Sequence, residues 1–172
     1  MRRILVIGCS GTGKSTLARR LSSLLDLPLT HLDHLYWRPG WVVAPEAEFH
    51  AAQEKVVTGE AWVIDGNYSS SLHLRLPRAD TLVFLDFPRR TSLWRVLVRT
   101  VRERGLDTQA PGCPSKVDME FLGFIWNWRR RRRNTLLKRL AVEARHARQY
   151  LLSSPRDVEA FLALAEPARH ER

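Results

Sequence analysis

The stretch Ile4-Leu5-Val6-Ile7-Gly8-Cys9-Ser10-Gly11-Thr12-Gly13-Lys14-Ser15-Thr16 decides the fold. An apolar run ends at Gly8, and Gly8 to Ser15 satisfies G-x-x-x-x-G-K-[ST]. A segment of helical periodicity then begins at Thr16 and Leu17. A buried strand, a glycine-rich turn and a helix N-terminus in that order are the context in which the pattern cradles phosphate. The glycines let the backbone turn and approach an anion, and its successive N–H groups form a concave nest. The reading assigns Gly8, Ser10, Gly11, Thr12, Gly13, Lys14, Ser15 and Thr16 to a nucleotide phosphate site. Lys14 supplies charge to the β- and γ-phosphates, and the Ser15 hydroxyl is a ligand for Mg²⁺.

The remaining composition narrows the class. A chain of 172 residues fits one domain and can bury a substantial core. Its net charge of +10 admits polyanions as partners. Only Lys14, Lys55, Lys116 and Lys138 of its basic residues are lysine, a skew toward arginine that coding bias explains as well as phosphate recognition does. Cys9 and Cys113 form neither a disulfide framework nor a metal pattern, and Cys9 lies inside the phosphate loop. A reduced, cytoplasmic compartment is therefore expected. The apolar run after Arg2 and Arg3 is too short for a signal peptide, and none approaches a membrane span. The expectation is a soluble monomer or homodimer.

Taken in order, helix periodicity covers about Lys14 to Leu25, with Leu17, Leu21, Leu24 and Leu25 on one face. Leu29 to Asp33 reads as a second strand, with Asp33 at the C-terminal end where open α/β sheets bind ligands. His34 to Trp41 is aromatic and basic. It reads either as a loop packing its Trp on the core or as an acceptor pocket, with Tyr36, Trp37 or Trp41 stacking on a flat substrate and Arg38 meeting an anion. Pro45 to Thr58 reads as a helix, and Ala61 to Asp65 as a third strand followed by Gly66-Asn67-Tyr68. A short helix over Ser70 to Leu76 carries Arg75. Thr81 to Asp86 is a fully buried fourth strand. Thr91 to Arg104 is amphipathic, with Arg95, Arg99 and Arg102 on one face. Gly105 to Val117 reads as a mobile loop, and helical periodicity resumes at Asp118 and runs through Arg129 to Arg133 to Ala144. Gln149 to Leu152 is a fifth strand, Ser154 opens a last helix, and the tail from Pro167 frays. Strands that are apolar on both faces and alternate with helices predict a three-layer α/β fold with a five-stranded parallel sheet. No N-K-x-D segment occurs, which excludes the GTPase switches, and the chain has little room for the extra elements of transporter or AAA+ ATPases.

The ordered set GCSGTGKST, HLDHLYW, WVIDGNY, RADTLVFLDFPR, GCP, EFLGFIW and YLLSSPRDVEAFL resembles the DNA topology modulation protein family, placed among adenylate-kinase-like P-loop proteins. The resemblance covers Arg3 to about Leu164. It implies a nucleoside-kinase-type fold over residues 1–172, sheet order 2-3-1-4-5, and a lid at about 105–133. By the same similarity Asp65 joins Ser15 around Mg²⁺, while Asp86 is structural. Asp33 holds an acceptor hydroxyl and takes its proton. Tyr36, Trp37, Arg38, Asn67, Tyr68 and Arg75 complete the substrate side, although the spacing of Arg38 and Arg75 departs from the clamp of monophosphate kinases. Lys14, Asp33 and the lid arginines Arg95, Arg99 and Arg129 carry catalysis. Residues 129–133 wrap a helix circumference, so they cannot all face one phosphate. The implied activity is transfer of the ATP γ-phosphate to a small acceptor, a nucleoside or nucleotide before others. The alternatives are a nucleic-acid-associated ATPase affecting DNA topology, built on Arg129 to Arg133 with Trp126 and Trp128, and a nucleotide-binding regulator without turnover.

Overall fold

In the computed structural model the described residues are 1–102, 110–114 and 119–166. The expected loop positions 105–109 and 115–117, the expected helix positions 103, 104 and 118, and the tail from Pro167 lie outside them. The strands are β1 (Arg3–Gly8), β2 (Leu29–His31), β3 (Trp37–Arg38), β4 (Val42–Val43), β5 (Trp62–Asp65), β6 (Thr81–Leu85) and β7 (Arg148–Leu152). Five of them form one sheet in the order β2-β5-β1-β6-β7. Every pairing within it is parallel. Numbered within that sheet alone, the order is the expected 2-3-1-4-5. The antiparallel β3–β4 hairpin is an addition that the sequence did not announce.

The helices are α1 (Lys14–Leu25), α2 (Leu32–Tyr36), α3 (Glu46–Val57), α4 (Leu72–Arg75), α5 (Arg89–Arg102), α6 (Met119–Trp128), α7 (Asn134–Glu143) and α8 (Pro155–Ala165). Short 3₁₀ turns flank α4 at Ser69–Ser71 and Leu76–Arg78. Alternation along β1 supplies both layers of the core, because successive side chains of a strand point to opposite faces. Ile4 and Val6 pack with Leu17 and Leu21 of α1 and Phe161 and Leu162 of α8. Leu5 and Ile7 pack with Phe49 of α3, Val96 of α5, Ile125 and Trp128 of α6 and Leu140 of α7. Ile4, Leu5, Val6 and Ile7 have no exposed surface, and truncating one such side chain to Ala costs about 2–5 kcal/mol. Ser154 opens α8 with a capping box: its hydroxyl accepts from the Asp157 amide while the Asp157 carboxylate accepts from the Ser154 amide.

Two boundaries differ from the sequence reading in ways that matter. Strand β2 stops at His31, so Asp33 lies in the first turn of α2 rather than at a strand end. The arginine run Arg129–Arg133 is a π-helical turn joining α6 to α7. Its i→i+5 bonding holds more residues per turn than an α-helix and brings Arg129 and Arg133 to the same side.

Candidate active site

The phosphate loop folds as its glycines require. Gly11 (φ 78) and Gly13 (φ 94) are left-handed, and Gly13 caps the N-terminus of α1. The loop is closed internally: the Thr12 hydroxyl donates to the Cys9 carbonyl at 2.7 Å and the Lys14 ammonium donates to the same oxygen at 3.0 Å. It is also held from outside. The Asn67 amide donates to Gly8 O at 2.6 Å while its oxygen accepts from Gly8 N at 2.9 Å. Arg95 Nη1 donates to Thr12 O at 3.1 Å. Burial pushes the Cys9 thiol up to about 11 against the opposing pull of the Lys14 charge, which leaves Cys9 a neutral packing residue.

Strand β5 neighbours β1 and places Asp65 beside the loop. The Ser15 hydroxyl donates to Asp65 Oδ2 at 2.6 Å, and His31 Nδ1 contacts Asp65 Oδ1. A nearly buried carboxylate and a hydroxyl converging at the helix N-terminus form a hard oxygen donor set, which suits Mg²⁺. His31 was not foreseen. Its only sequence signal is its place at the end of a strand that runs beside Asp65.

A cavity of about 1450 Å³ joins the loop, Ser10 to Thr16, to Asp33, Trp37 and Tyr68. The Tyr68 hydroxyl donates to Asp33 Oδ1 at 2.5 Å. Burial first, and then the charge of Asp33, raises the Tyr68 phenol, so it stays protonated and remains a donor. Trp37 and Trp41 line the cavity edge-to-face, 5.3 Å apart. Arg95 and Arg99 line it from α5, and the buried Arg99 Nε has no hydrogen-bond partner among the described residues.

Several expected substrate residues lie elsewhere. Tyr36 packs inward against Phe49 and Tyr68, because α2 turns that face to the core. Arg38 lies on the outer side of the hairpin, ion-paired with Glu48. Arg75 has no exposed surface and is spent on Gln53 Oε1 and the carbonyls of Asn67 and Tyr68. Asn67 reaches the cavity wall, but its amide is consumed by Gly8. Arg129 is also misplaced: Asp86, buried as a structural residue, draws Arg129 and Arg133 toward itself at 3.3 and 2.6 Å. Arg131, Arg132 and, one turn into α7, Arg139 line the cavity instead. Trp128 is buried on Phe84, so it offers no surface for stacking.

No protein-family model and no curated protein matches the sequence. Solved structures do. A shikimate kinase from Acinetobacter baumannii in complex with shikimate aligns at 17% identity over 95% of this chain and 90% of that chain, with a TM-score of 0.61. A shikimate kinase from Aquifex aeolicus aligns at 21% identity, 95% of each chain and TM-score 0.53. A gluconokinase from Sinorhizobium meliloti aligns at 17% identity, 96% of this chain and 93% of that one, also with TM-score 0.53. The likeness shows a shared P-loop α/β fold.

Proposed function

We propose that the protein is a Mg²⁺-dependent phosphotransferase that moves the γ-phosphoryl group of ATP to a hydroxyl of a small acceptor, with nucleosides and nucleotides the first class to test. One observation carries the reading: a single cavity holds the phosphate cradle, the Ser15–Asp65 pair and, across from them, Asp33. Phosphoryl transfer needs positioning and charge neutralisation more than covalent chemistry. The loop N–H groups and Lys14 would hold the β- and γ-phosphates. Ser15 and Asp65 would hold Mg²⁺, which when bound neutralises phosphate charge. Asp33, fixed by Tyr68, would orient the acceptor hydroxyl and take its proton as the new O–P bond forms and the bond to ADP breaks. Arg99, Arg131 and Arg132 would face the transferring group. We read residues 1–172 as one domain with a lid at 105–133. Its Gly112-Cys113-Pro114 segment rests on the β3–β4 hairpin, through Gly40 N to Gly112 O at 2.8 Å and Trp41 Nε1 to Pro114 O at 3.2 Å. No helix among the described residues is long and apolar enough to cross a membrane. The two free thiols and the need for ATP favour the cytoplasm.

The test is MgATP turnover against nucleosides, nucleoside monophosphates, shikimate, other small alcohols and duplex DNA. A phosphorylated small-molecule product, lost in Lys14→Ala together with ATP affinity, is expected. ATP affinity unchanged in that variant overturns the site. The comparisons lend no support to the DNA topology modulation family, and the second reading, a nucleic-acid-associated ATPase, stands on the surface alone. A groove walled by Arg89, Arg90, Arg130 and Trp126, with Arg89 stacked 3.9 Å over the Trp126 ring, is the observation that favours it. Stimulation by DNA alone would establish that reading.

A further inference from the structure

Arg75 is the unexplained cost in this structure. Its guanidinium is fully buried, and among the described residues it makes no ion pair and its Nε has no hydrogen-bond partner. Burial lowers it to about 9, which still leaves it charged at neutral pH. Buried charge is weak evidence of a stabilising role, so the geometry it imposes is what distinguishes Arg75. That geometry is specific. Nη1 donates to Gln53 Oε1 at 2.8 Å, while Nη2 donates to Asn67 O at 2.8 Å and Tyr68 O at 3.3 Å. Gln53 is itself fixed, donating to Phe49 O at 3.0 Å and accepting from the Ser71 hydroxyl at 3.0 Å.

The gripped turn is strained, with Tyr68 at φ 30. Its two side chains diverge. Asn67 clamps both backbone groups of Gly8 at the root of the phosphate loop. Tyr68 holds Asp33 on the side of the cavity facing the loop. The two halves of the site are thus joined through one turn, and that turn is fastened from behind by one fork-shaped cation. A lysine carries its three donors on one nitrogen and could not span the fork.

We infer that Arg75 is a positioning residue which, by gripping the Asn67–Tyr68 turn, couples occupancy of the phosphate loop to the ordering of Asp33. The inference rests on the proposed reading of the loop as a nucleotide site and of Asp33 as the acceptor-side acid. Nucleotide held at the loop steadies Gly8, the turn and then α2. By reciprocity, an acceptor held at Asp33 tightens nucleotide binding by the same factor.

Amide hydrogen exchange with and without MgADP tests it in the full chain. In the wild type, MgADP slows exchange in residues 8–16 and also in 32–36, the latter by about 5-fold or more, the lower range of inter-site coupling. Tyr68→Phe loses only the hydroxyl that reaches Asp33. It keeps the slowing at 8–16 and loses it at 32–36. Arg75→Met behaves likewise and Arg75→Lys does not rescue it, whereas a merely structural Arg75 would lower the melting temperature and leave both regions responding together. Equal slowing at 32–36 in Tyr68→Phe and wild type overturns the proposal, as does a wild type that responds at 8–16 alone. A wild type that does not respond at 8–16 overturns the nucleotide reading itself, and the coupling with it.

Discussion

Gly11 and Gly40 have the same backbone dihedral, φ 78, in opposite surroundings. A Cβ on Gly11 would lie 2.3 Å from the Ser92 carbonyl oxygen and 2.8 Å from Val96 Cγ2, whereas a Cβ on Gly40 would meet nothing within 4 Å. The left-handed conformation costs an L-residue about 1–2 kcal/mol, offset by about 0.4–1 kcal/mol from the stiffer unfolded chain, so Gly40→Ala should cost about 0–1.6 kcal/mol. Gly11→Ala carries the same conformational cost plus about 1–3 kcal/mol for forcing a methyl against α5, since Ser92 O is backbone and cannot swing away. The pair therefore isolates the contact between phosphate loop and α5. Urea denaturation followed by tryptophan fluorescence should show Gly11→Ala less stable than Gly40→Ala by about 1–3 kcal/mol. The loop must also shift to relieve the contact, so ADP affinity, read by calorimetry, should fall in Gly11→Ala and hold in Gly40→Ala. Equal destabilisation of the two variants, or intact ADP affinity in Gly11→Ala, would refute the claim that α5 sets the shape of the loop.

Asp33→Asn should leave ATP affinity close to wild type and slow transfer to the acceptor by about 10²-fold; equal loss of binding and transfer would remove Asp33 from the acceptor side. Asp80 accepts from the amides of Arg2 and Arg3 at 3.0 and 2.9 Å and from the Thr81 hydroxyl at 2.7 Å. Partial burial pushes its carboxyl up, but the bonds from Thr81, Arg3 and Arg2 together outweigh that and hold it below the ordinary value. A depressed folded pKa gives stability that is present above the unfolded value of about 4 and is lost as pH falls through the folded one. Asp80→Asn should therefore be less stable at pH 7 and show a flatter acid limb, and parallel stability–pH profiles would contradict this. Asp86→Asn leaves Arg133 without its buried partner and should cost about 2–4 kcal/mol in urea, against less than about 1 kcal/mol for Arg129→Ala at the exposed end of the pair. Similar costs for the two would show that Asp86 does not anchor the π turn.

The centre of the sheet was legible because its three inner strands carry their signal locally, whereas the edge strands β2 and β7 are only partly covered. β1, β5 and β6 are runs of residues buried on both faces, and nothing but a covered parallel sheet accommodates such runs side by side. The β3–β4 hairpin was not legible for the converse reason. Each of its strands is two residues long, Val42 and Val43 are exposed, and so no alternation marks it. The phosphate loop was readable because its residues are contiguous and their spacing is itself the chemistry. Asp65 was placed correctly because sheet order alone decides its neighbour.

The arginines were harder, since sequence gives their number and helical phase but not which acid claims them. Asp86 is the deciding residue. It is buried at the end of β6 and takes the two arginines that the π turn sets on one side, Arg129 and Arg133. Once those are claimed, the intervening Arg131 and Arg132 must face elsewhere, and the cavity lies there. Arg75 shows the same limit from the other direction. Composition places arginine at the surface or on an anion, while here two carbonyls and a glutamine oxygen draw it fully inside. In both cases the side chain's position is set by a partner more than ten residues distant in the chain, Asp86 for Arg133 and Gln53 for Arg75. The cavity wall around Asp33 is built from such distant pairings, Tyr68 with Asp33 among them, and the opposite wall from a contiguous loop. That difference is why the same sequence discloses the glycine-rich loop completely and the wall facing it only in part.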